Sequence, residues 1–404
     1  MAYDLLEGVK VVELAMYAFA PSSTAVLADW GAAVVKVVAP DRPDVLMGNA
    51  IGGLPDRDVG VRFMWEILNR GKRSIGIDIG VDEGRDLLLE LLADADVFVT
   101  NLLPARRRKY RLEPDDVFAV NPGLVYARAS GHGNDGPERE AGGYDHTDYW
   151  ARTGIGHAAS MVADEFAPQV GPAFGDLASG TFLAGAIAAA LVRKERSGRG
   201  AVIDVSLFSS GMWMASPGIV ASQLYDVDNI PRFRHHQLTN PTVAAYATSD
   251  DRYVYLAGIQ TEGHFEQFCE LVGRPDLVAD PRFADGRARA ANAAACIAEL
   301  DGVFAGRTLA EWLPILRQMT TPWSIVQTAA EAANDPQALA NGYLTEIEGT
   351  SGPFPVVMSP ARVDESSTTL TRAPDHGEHT DEILLGTGRD WDQILELKAK
   401  GAVL

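Results

Sequence analysis

The chain has 404 residues, 47% of them hydrophobic and 22% charged, which is the composition of a folded globular protein with more than one domain and excludes a largely disordered one. Its formal charge of −20 argues against sequence-independent binding to nucleic acid or to an anionic membrane, so any phosphate-bearing ligand must find a local patch of cations. Cys269 and Cys296 stand without metal-type spacing or a disulfide framework, and the first residues lack the basic and apolar regions of a signal peptide; both features predict a reducing, cytoplasmic setting. The Ala-rich run 182–192 reads as too short for a membrane span.

Val9 to Leu14 reads as a short apolar strand, followed by Ala20-Pro21-Ser22-Ser23 and then a helical pattern through Trp30 that Gly31 stops, and Ala33 to Val38 reads as a second strand. A strand-helix-strand unit of this kind predicts a parallel sheet. It carries no Gly-x-Gly-x-x-Gly and no phosphate-loop motif, which speaks against a nicotinamide or nucleoside-triphosphate protein. The stretch 41–60 reads as a surface loop. Arg70, Lys72 and Arg73 then cluster beside Gly71 at the mouth of another strand, 75–78. Such a cluster is either a solvated turn or a receiver of phosphates. A helix over 82–93 and a strand over 95–102 follow, and after Asn101 comes a second basic run, 106–111. Residues beyond the carboxyl end of a parallel strand lie where open sheets bind ligands.

A strand over 124–129 leads into the turn-rich loop 130–137, with His132 and Gly133, and then into a helix opened by Gly142-Gly143-Tyr144-Asp145. In the stretch 171–185, Asp176 stands between Gly-containing turns and an apolar helix read over 181–195, which closes on a Gly198 cap before a strand over 201–207. An Asp at that junction either caps the helix, held in its charged form by the helix dipole, or serves as a preorganised carboxylate nucleophile or base. From about residue 225 the pattern changes: two strand-like runs, 244–246 and 253–256, precede a helical region over 263–316. His235 and His236 are adjacent, so they share no face of a helix or strand and do not read as metal ligands. The chain from 353 reads as loop-rich, closing with helices over 378–385 and 392–399.

Taken together, Gly8-Val-Lys-Val-Val-Glu-Leu14, Leu27-Ala-Asp-Trp-Gly-Ala-Ala-Val-Val-Lys36, Asn69-Arg-Gly-Lys-Arg-Ser74, Asp96-Val-Phe-Val-Thr-Asn101, Gly133-Asn-Asp-Gly-Pro137, Gly143-Tyr-Asp145, Gly175-Asp176, Gly198-Arg-Gly200, Asp280-Pro-Arg-Phe283 and Gly377-Glu-His-Thr-Asp-Glu-Ile383 resemble the class III CoA-transferase family, which includes formate and carnitine CoA-transferases and 2-methylacyl-CoA racemases. The resemblance spans nearly the whole chain. It implies an α/β protein with a Rossmann-like parallel-sheet large domain and a smaller α+β domain, paired as an interlocked homodimer. The large domain takes residues 1–224 and a returning segment 331–404, and the small one 225–330.

The resemblance places the nucleophile on Asp176, with an aspartyl anhydride and an aspartyl-CoA thioester as intermediates and with Gly175, Gly133, His132, Asp145, Tyr144 and Ala18 around the reacting groups. Its CoA contacts fall on Arg70, Lys72, Arg73 and Asn101, with Leu102 in place of the usual Phe and Lys109 in place of the usual Arg. It implies an acyl-CoA and a carboxylic acid as partners, with no metal and no permanently bound cofactor. Where racemases of the family carry a proton-moving His, this chain has Tyr144, a poor base near neutral pH. Transfer is therefore favoured, with racemisation (through His132 or His146) and non-catalytic acyl-CoA binding as the alternatives. Ala18 replaces a polar residue of formate-specific members, and no Gly-rich lid run appears in 239–259.

Overall fold

The computed structural model describes residues 3–48, 54, 59–258, 262–365 and 369–404. Part of the 41–60 loop reading and the last residue of 239–259 lie outside them.

The first unit comprises residues 1–159, 165–230 and 339–404. Its chain alternates β1 (Lys10–Leu14), α1 (Phe19–Asp29), β2 (Ala33–Val38), α2 (Phe63–Asn69), β3 (Arg73–Gly76), α3 (Asp82–Ala93) and β4 (Val97–Thr100). It continues with α4 (Pro104–Tyr110), α5 (Pro114–Val120), β5 (Val125–Ser130), a wide π-type helical turn (Asp145–Ala151), α6 (Ile155–Ser160), α7 (Phe174–Ser197), β6 (Ala201–Ser206), α8 (Leu207–Met214) and α9 (Ser216–Tyr225). The six strands form one sheet in the order β3-β2-β1-β4-β5-β6, every neighbour parallel. Strands of a parallel sheet are covered on both faces, which is why they read as Val-rich runs with little alternation. One face is sealed by α1 and α7 through Leu27, Leu183, Ala184 and Ile187. The other is sealed by Leu87, Leu88 and Leu92 of α3 and by Val117 of α5. Chain order reverses between β1 and β4, and this switch point is where doubly wound sheets leave a crevice at their carboxyl edge.

The second unit comprises residues 160–164 and 231–338. Here β7 (Val243–Ala247), β8 (Tyr253–Ala257) and, after the helices α10 (Glu262–Leu271), α11 (Asp276–Ala279), α12 (Gly286–Ala291), α13 (Ala293–Phe304) and α14 (Leu309–Leu316), β9 (Trp323–Ile325) make an antiparallel sheet. A separate core forms on it, with Tyr246 stacked on Phe304 at 5.1 Å between ring centroids. Two short helices, α15 (Ala329–Ala333) and α16 (Pro336–Ala340), lead out of it.

Three readings need correction. The helix read over 181–195 begins at Phe174. Its glycines are close-approach points rather than breaks: a Cβ on Gly175 would stand 2.3 Å from Asp145 Oδ1, and one on Gly180 would stand 1.9 Å from Ser22 Oγ. Counted in full, α7 has the length and composition to cross a membrane, although Leu183, Ala184 and Ile187 lie in the sheet-facing core. The third correction is a hairpin, β10 (Leu344–Gly349) with β11 (Gly352–Val357), where loop was expected. Pro353 and Pro355 hid it; they alternate with the buried Phe354 and Val356 in a two-stranded ribbon, where an outward-facing proline breaks no ladder bond. The last helices, α17 (Thr380–Gly386) and α18 (Trp391–Ala399), place Ile383, Leu384 and Ile394 in the second core face of the first unit.

Candidate active site

The chain enters α7 through Ala173, whose backbone is left-handed at φ 57°. A side-chain-bearing residue adopts that shape at a cost of about 1–2 kcal/mol, so it must be over-determined by its surroundings. Ala173 packs with Ala18 and Leu68 in a small buried cluster. The turn presents the Gly175 N–H to Asp145, whose two oxygens accept it at 3.0 and 3.1 Å and also take the Gln169 Nε2–H at 2.5 Å. The cap of this helix is thus supplied by Asp145, thirty residues away in the chain.

Asp176, third residue of the first turn, is left free of that duty. Burial, and then the negative charge of Asp145, push its carboxyl up to about 7. A helix N-terminus favours a charged carboxylate, but desolvation and a like charge outweigh it here. The expected dipole-stabilised anion is therefore corrected to an acid that titrates near neutrality.

Around Asp176 the N-terminal turn of α1 closes in, with Ser22 Oγ donating to the Asp176 carbonyl at 3.4 Å. Just before it Tyr17 also has left-handed backbone, φ 64°, its N–H donated to Asp44 Oδ2 at 3.3 Å. Tyr17 meets Tyr144 edge-to-face at 5.5 Å, with their hydroxyls 3.5 Å apart. Gly133 turns the β5 loop at φ 108°, its N–H donated to Ser130 Oγ at 3.0 Å. His132 is engaged by Asp148, a fully buried acid on the Asp145–Ala151 turn, and by Arg152. His146 is exposed. No imidazole is thus among the charged groups that act on Asp176, among the described residues.

The basic cluster divides. Arg70 is buried in a two-pronged pair with Asp29 at 3.0 and 2.7 Å. Lys72 is buried as well, donating to Glu13 at 2.7 Å and to the carbonyls of Pro21 and Leu68. Neither presents a charge to a solvent-side phosphate, which corrects the expectation for those two. Both are consumed as internal countercharges, because a buried acid must be paired. Arg73 remains half exposed beside Glu382.

At the β1/β4 switch point a crevice opens, lined by Met16, Val38, Ile77 and Asn101 at the ends of four strands and by Leu102, Arg42 and Arg106. Asn101 holds the β1–α1 loop through both backbone groups of one residue, accepting from Met16 N and donating to Met16 O. Lys109 lies outside that lining, over the Tyr110 ring at 5.0 Å. The loop that lines the crevice with Met16 also carries Tyr17 and Ala18 to the Asp176 turn, so crevice and carboxylate share one segment.

Sequence reasoning missed Glu13, Lys36, Asp29 and Asp148. For the first two the signal was there: a lone acid in one buried strand and a lone cation in the next read as a pair. For Asp148 there was none, since only the fold brings it to His132. Among the described residues no group of three or more His, Cys, Asp or Glu side chains gathers as a metal site requires.

A doubly wound sheet with a switch-point crevice, and a half-buried acid on a turn that shares the β1–α1 loop with it, is the architecture of a ligand-binding α/β protein. The chain matches CoA-transferase family III over residues 6–380 and belongs to that family; it is a class III CoA-transferase. It is 30% identical to (R)-2-hydroxy-4-methylpentanoate CoA-transferase of Clostridioides difficile, over 98% of both chains. It is equally identical, 30%, to succinyl-CoA:glutarate CoA-transferase of Homo sapiens, over 98% of this chain and 90% of that one. A crystal structure of a CAIB/BAIF family protein from Brucella suis superimposes with a TM-score of 0.81 at 30% identity, covering 96% of this chain and 100% of the other.

Proposed function

We propose that this chain moves CoA from an acyl-CoA to a carboxylic acid with Asp176 as the covalent nucleophile. The carboxylate oxygen attacks the thioester carbonyl and the C–S bond breaks, giving an acyl-aspartyl anhydride and CoA thiolate. Thiolate attacks the aspartyl carbonyl, releasing the donor acid and leaving an aspartyl-CoA thioester. The acceptor carboxylate then attacks that thioester to form a second anhydride and free the thiolate, which attacks the new acyl carbonyl. The new acyl-CoA leaves and Asp176 is restored.

The observation that carries this reading is the placement of Asp176, half-buried in the first turn of α7 with the cap duty taken by Asp145 on the Gly175 amide. A carboxyl raised to about 7 is more basic than an ordinary one, hence a stronger nucleophile once ionised, and it is still substantially ionised at neutral pH. Asp145 supports it by occupying the Gly175 amide, which leaves the Asp176 oxygens for substrate. The crevice lined by Asn101, Leu102, Arg42 and Arg106 is the natural seat for the nucleotide end of CoA, with Arg73 as a further cation. Pairing into a homodimer is part of the reading, and the exposed Trp213, Met214, Leu224 and Tyr225 on α8 and α9 support it. A cytoplasmic setting fits the buried free thiols Cys269 and Cys296.

Incubation with a CoA thioester followed by hydroxylamine or borohydride is expected to modify Asp176, located by peptide mass spectrometry. Exchange of the substrate α-hydrogen in heavy water with no such modification would establish the racemase alternative instead. Binding without either reaction would leave an acyl-CoA binder.

A further inference from the structure

Relatives of equal identity are named for a branched hydroxy acid and for a dicarboxylate, so their names do not choose the acid this chain takes. The two loops that meet the Asp176 turn do, one through Ala18 packed with Ala173 and the other through Asp145 on the Gly175 amide. Tyr17 and Tyr144 are large aromatic side chains left 41% and 57% exposed, yet fixed against each other edge-to-face. Tyr17 is held in left-handed backbone by the Asp44 carboxylate, a conformation an aromatic residue keeps only under constraint. Phe174 and Leu177, flanking Asp176 in the first turn of α7, are also exposed. Ala18, next to Tyr17, is small and buried, packed with Ala173 and Leu68.

The charges complete the picture. The charged groups that act on Asp176 and Tyr17 are both acids, Asp145 and Asp44. A dicarboxylic acid reaching Asp176 with one carboxylate would bring the other against aromatic side chains and the like charges of Asp145 and Asp44, a costly arrangement. An aryl or branched-alkyl group meets the same side chains favourably, with edge-to-face contacts available on both tyrosines.

Resting on the transferase reading, we infer that Tyr17 and Tyr144 form the acyl-group wall of the acid subsite and select monocarboxylic acids with an aromatic or branched apolar body over dicarboxylic acids. The two phenol hydroxyls, 3.5 Å apart and spent weakly on each other, add hydrogen bonds to a neutral oxygen on that body. The pair acts by fit and by refusing charge; Asp176 remains the reacting group.

Identity exchange tests this without knowing the natural donor. Carbon-13-labelled 3-phenylpropanoate is incubated with unlabelled 3-phenylpropanoyl-CoA, and labelled succinate with succinyl-CoA, and label entering each thioester is followed by mass spectrometry. The aryl pair is expected to exchange at least about 100-fold more efficiently in kcat/KM, the scale on which an apolar pocket discriminates against a misfitting group. Equal or reversed efficiencies overturn the inference while leaving transfer intact. Tyr144→Arg is expected to shift the ratio toward succinate by at least about 10-fold, mainly through KM; an unchanged ratio removes the tyrosines from the acid subsite. No exchange in either pair, with no hydroxylamine adduct at Asp176, overturns the transferase reading and this inference with it.

Discussion

Two buried regions of the first unit each hold a carboxylate, and their neighbours send them in opposite directions. At the centre of the sheet, burial alone would raise Glu13, but Lys36 at 2.6 Å and Lys72 at 2.7 Å outweigh it and hold the group at about 2. At the start of α7, burial raises Asp176 and the nearest charge is another acid, so the group rises to about 7. Glu13 is thereby a permanent anion that ties β1, β2 and the start of β3 together. Asp176 is an anion only conditionally, and is reactive for that reason. Burial yields a structural or a chemical carboxylate according to which charge the fold places beside it.

The largest expected effect breaks the chemical side. Asp176→Asn should lower CoA transfer by at least about 1,000-fold with the circular dichroism spectrum unchanged; a rate within tenfold of the parent would remove Asp176 from the reaction. Glu13→Gln should break the structural side. It leaves Lys36 buried without its countercharge, while Lys72, already brought down to about 7 by burial, sheds its proton; the change should cost about 3–5 kcal/mol in urea unfolding, and a loss under about 1 kcal/mol would mean the ion network holds little.

A third prediction sets the two against pH. Glu13, depressed in the folded state, contributes stability that is present above its ordinary range near 4.5 and lost as pH falls toward about 2. Asp176, raised in the folded state, does the reverse: stability drains as pH climbs from the ordinary carboxylate range through about 7. Asp176→Asn should therefore stabilise the protein at pH 8, by about 1–2 kcal/mol after allowance for the partial solvent exposure of the side chain, and the gain should vanish near pH 4. A loss of stability at pH 8 would restore the helix cap to Asp176. The smallest effect concerns the link between acids. In the parent, kcat/KM for acyl-CoA should rise with pH through about 7. Asp145→Asn keeps an oxygen for the Gly175 N–H but removes the charge, so the rising limb should move to lower pH; an unmoved limb would leave burial as the whole cause.

Much of this architecture is legible in the chain because its cues are local. The apolar strands, the helix over 82–93 and the Gly198 cap depend on near neighbours and were read within a residue or two. Asp176 could be singled out for the same reason, by its glycines. What could not be read was which acids and bases meet. Arg70, Lys72 and Arg73 look alike in sequence, yet two point into the core because Asp29 on α1 and Glu13 on β1 are waiting there. The rise of Asp176 needs Asp145, and the wall opposite needs Tyr17 and Tyr144, residues 127 positions apart. Such pairings belong to topology, not to spacing.

The return of the chain after residue 338 also has a consequence for biosynthesis. Ile75 and Ile77 near the outer strand, with Leu87 and Leu88 of α3, share a core with Ile383, Leu384, Ile394 and Val403, and Leu404 N donates to Gly76 O. The second unit, about a hundred residues long, is translated between these halves. About 300 residues separate β3 from α17; at roughly 5–20 residues per second that part of the sheet waits about 15–60 s for its cover, with apolar side chains open to any neighbouring nascent chain. The outer strands β2 and β3, rather than the reactive helix, are the segments whose early exposure should make chaperone supply limit the yield of this enzyme.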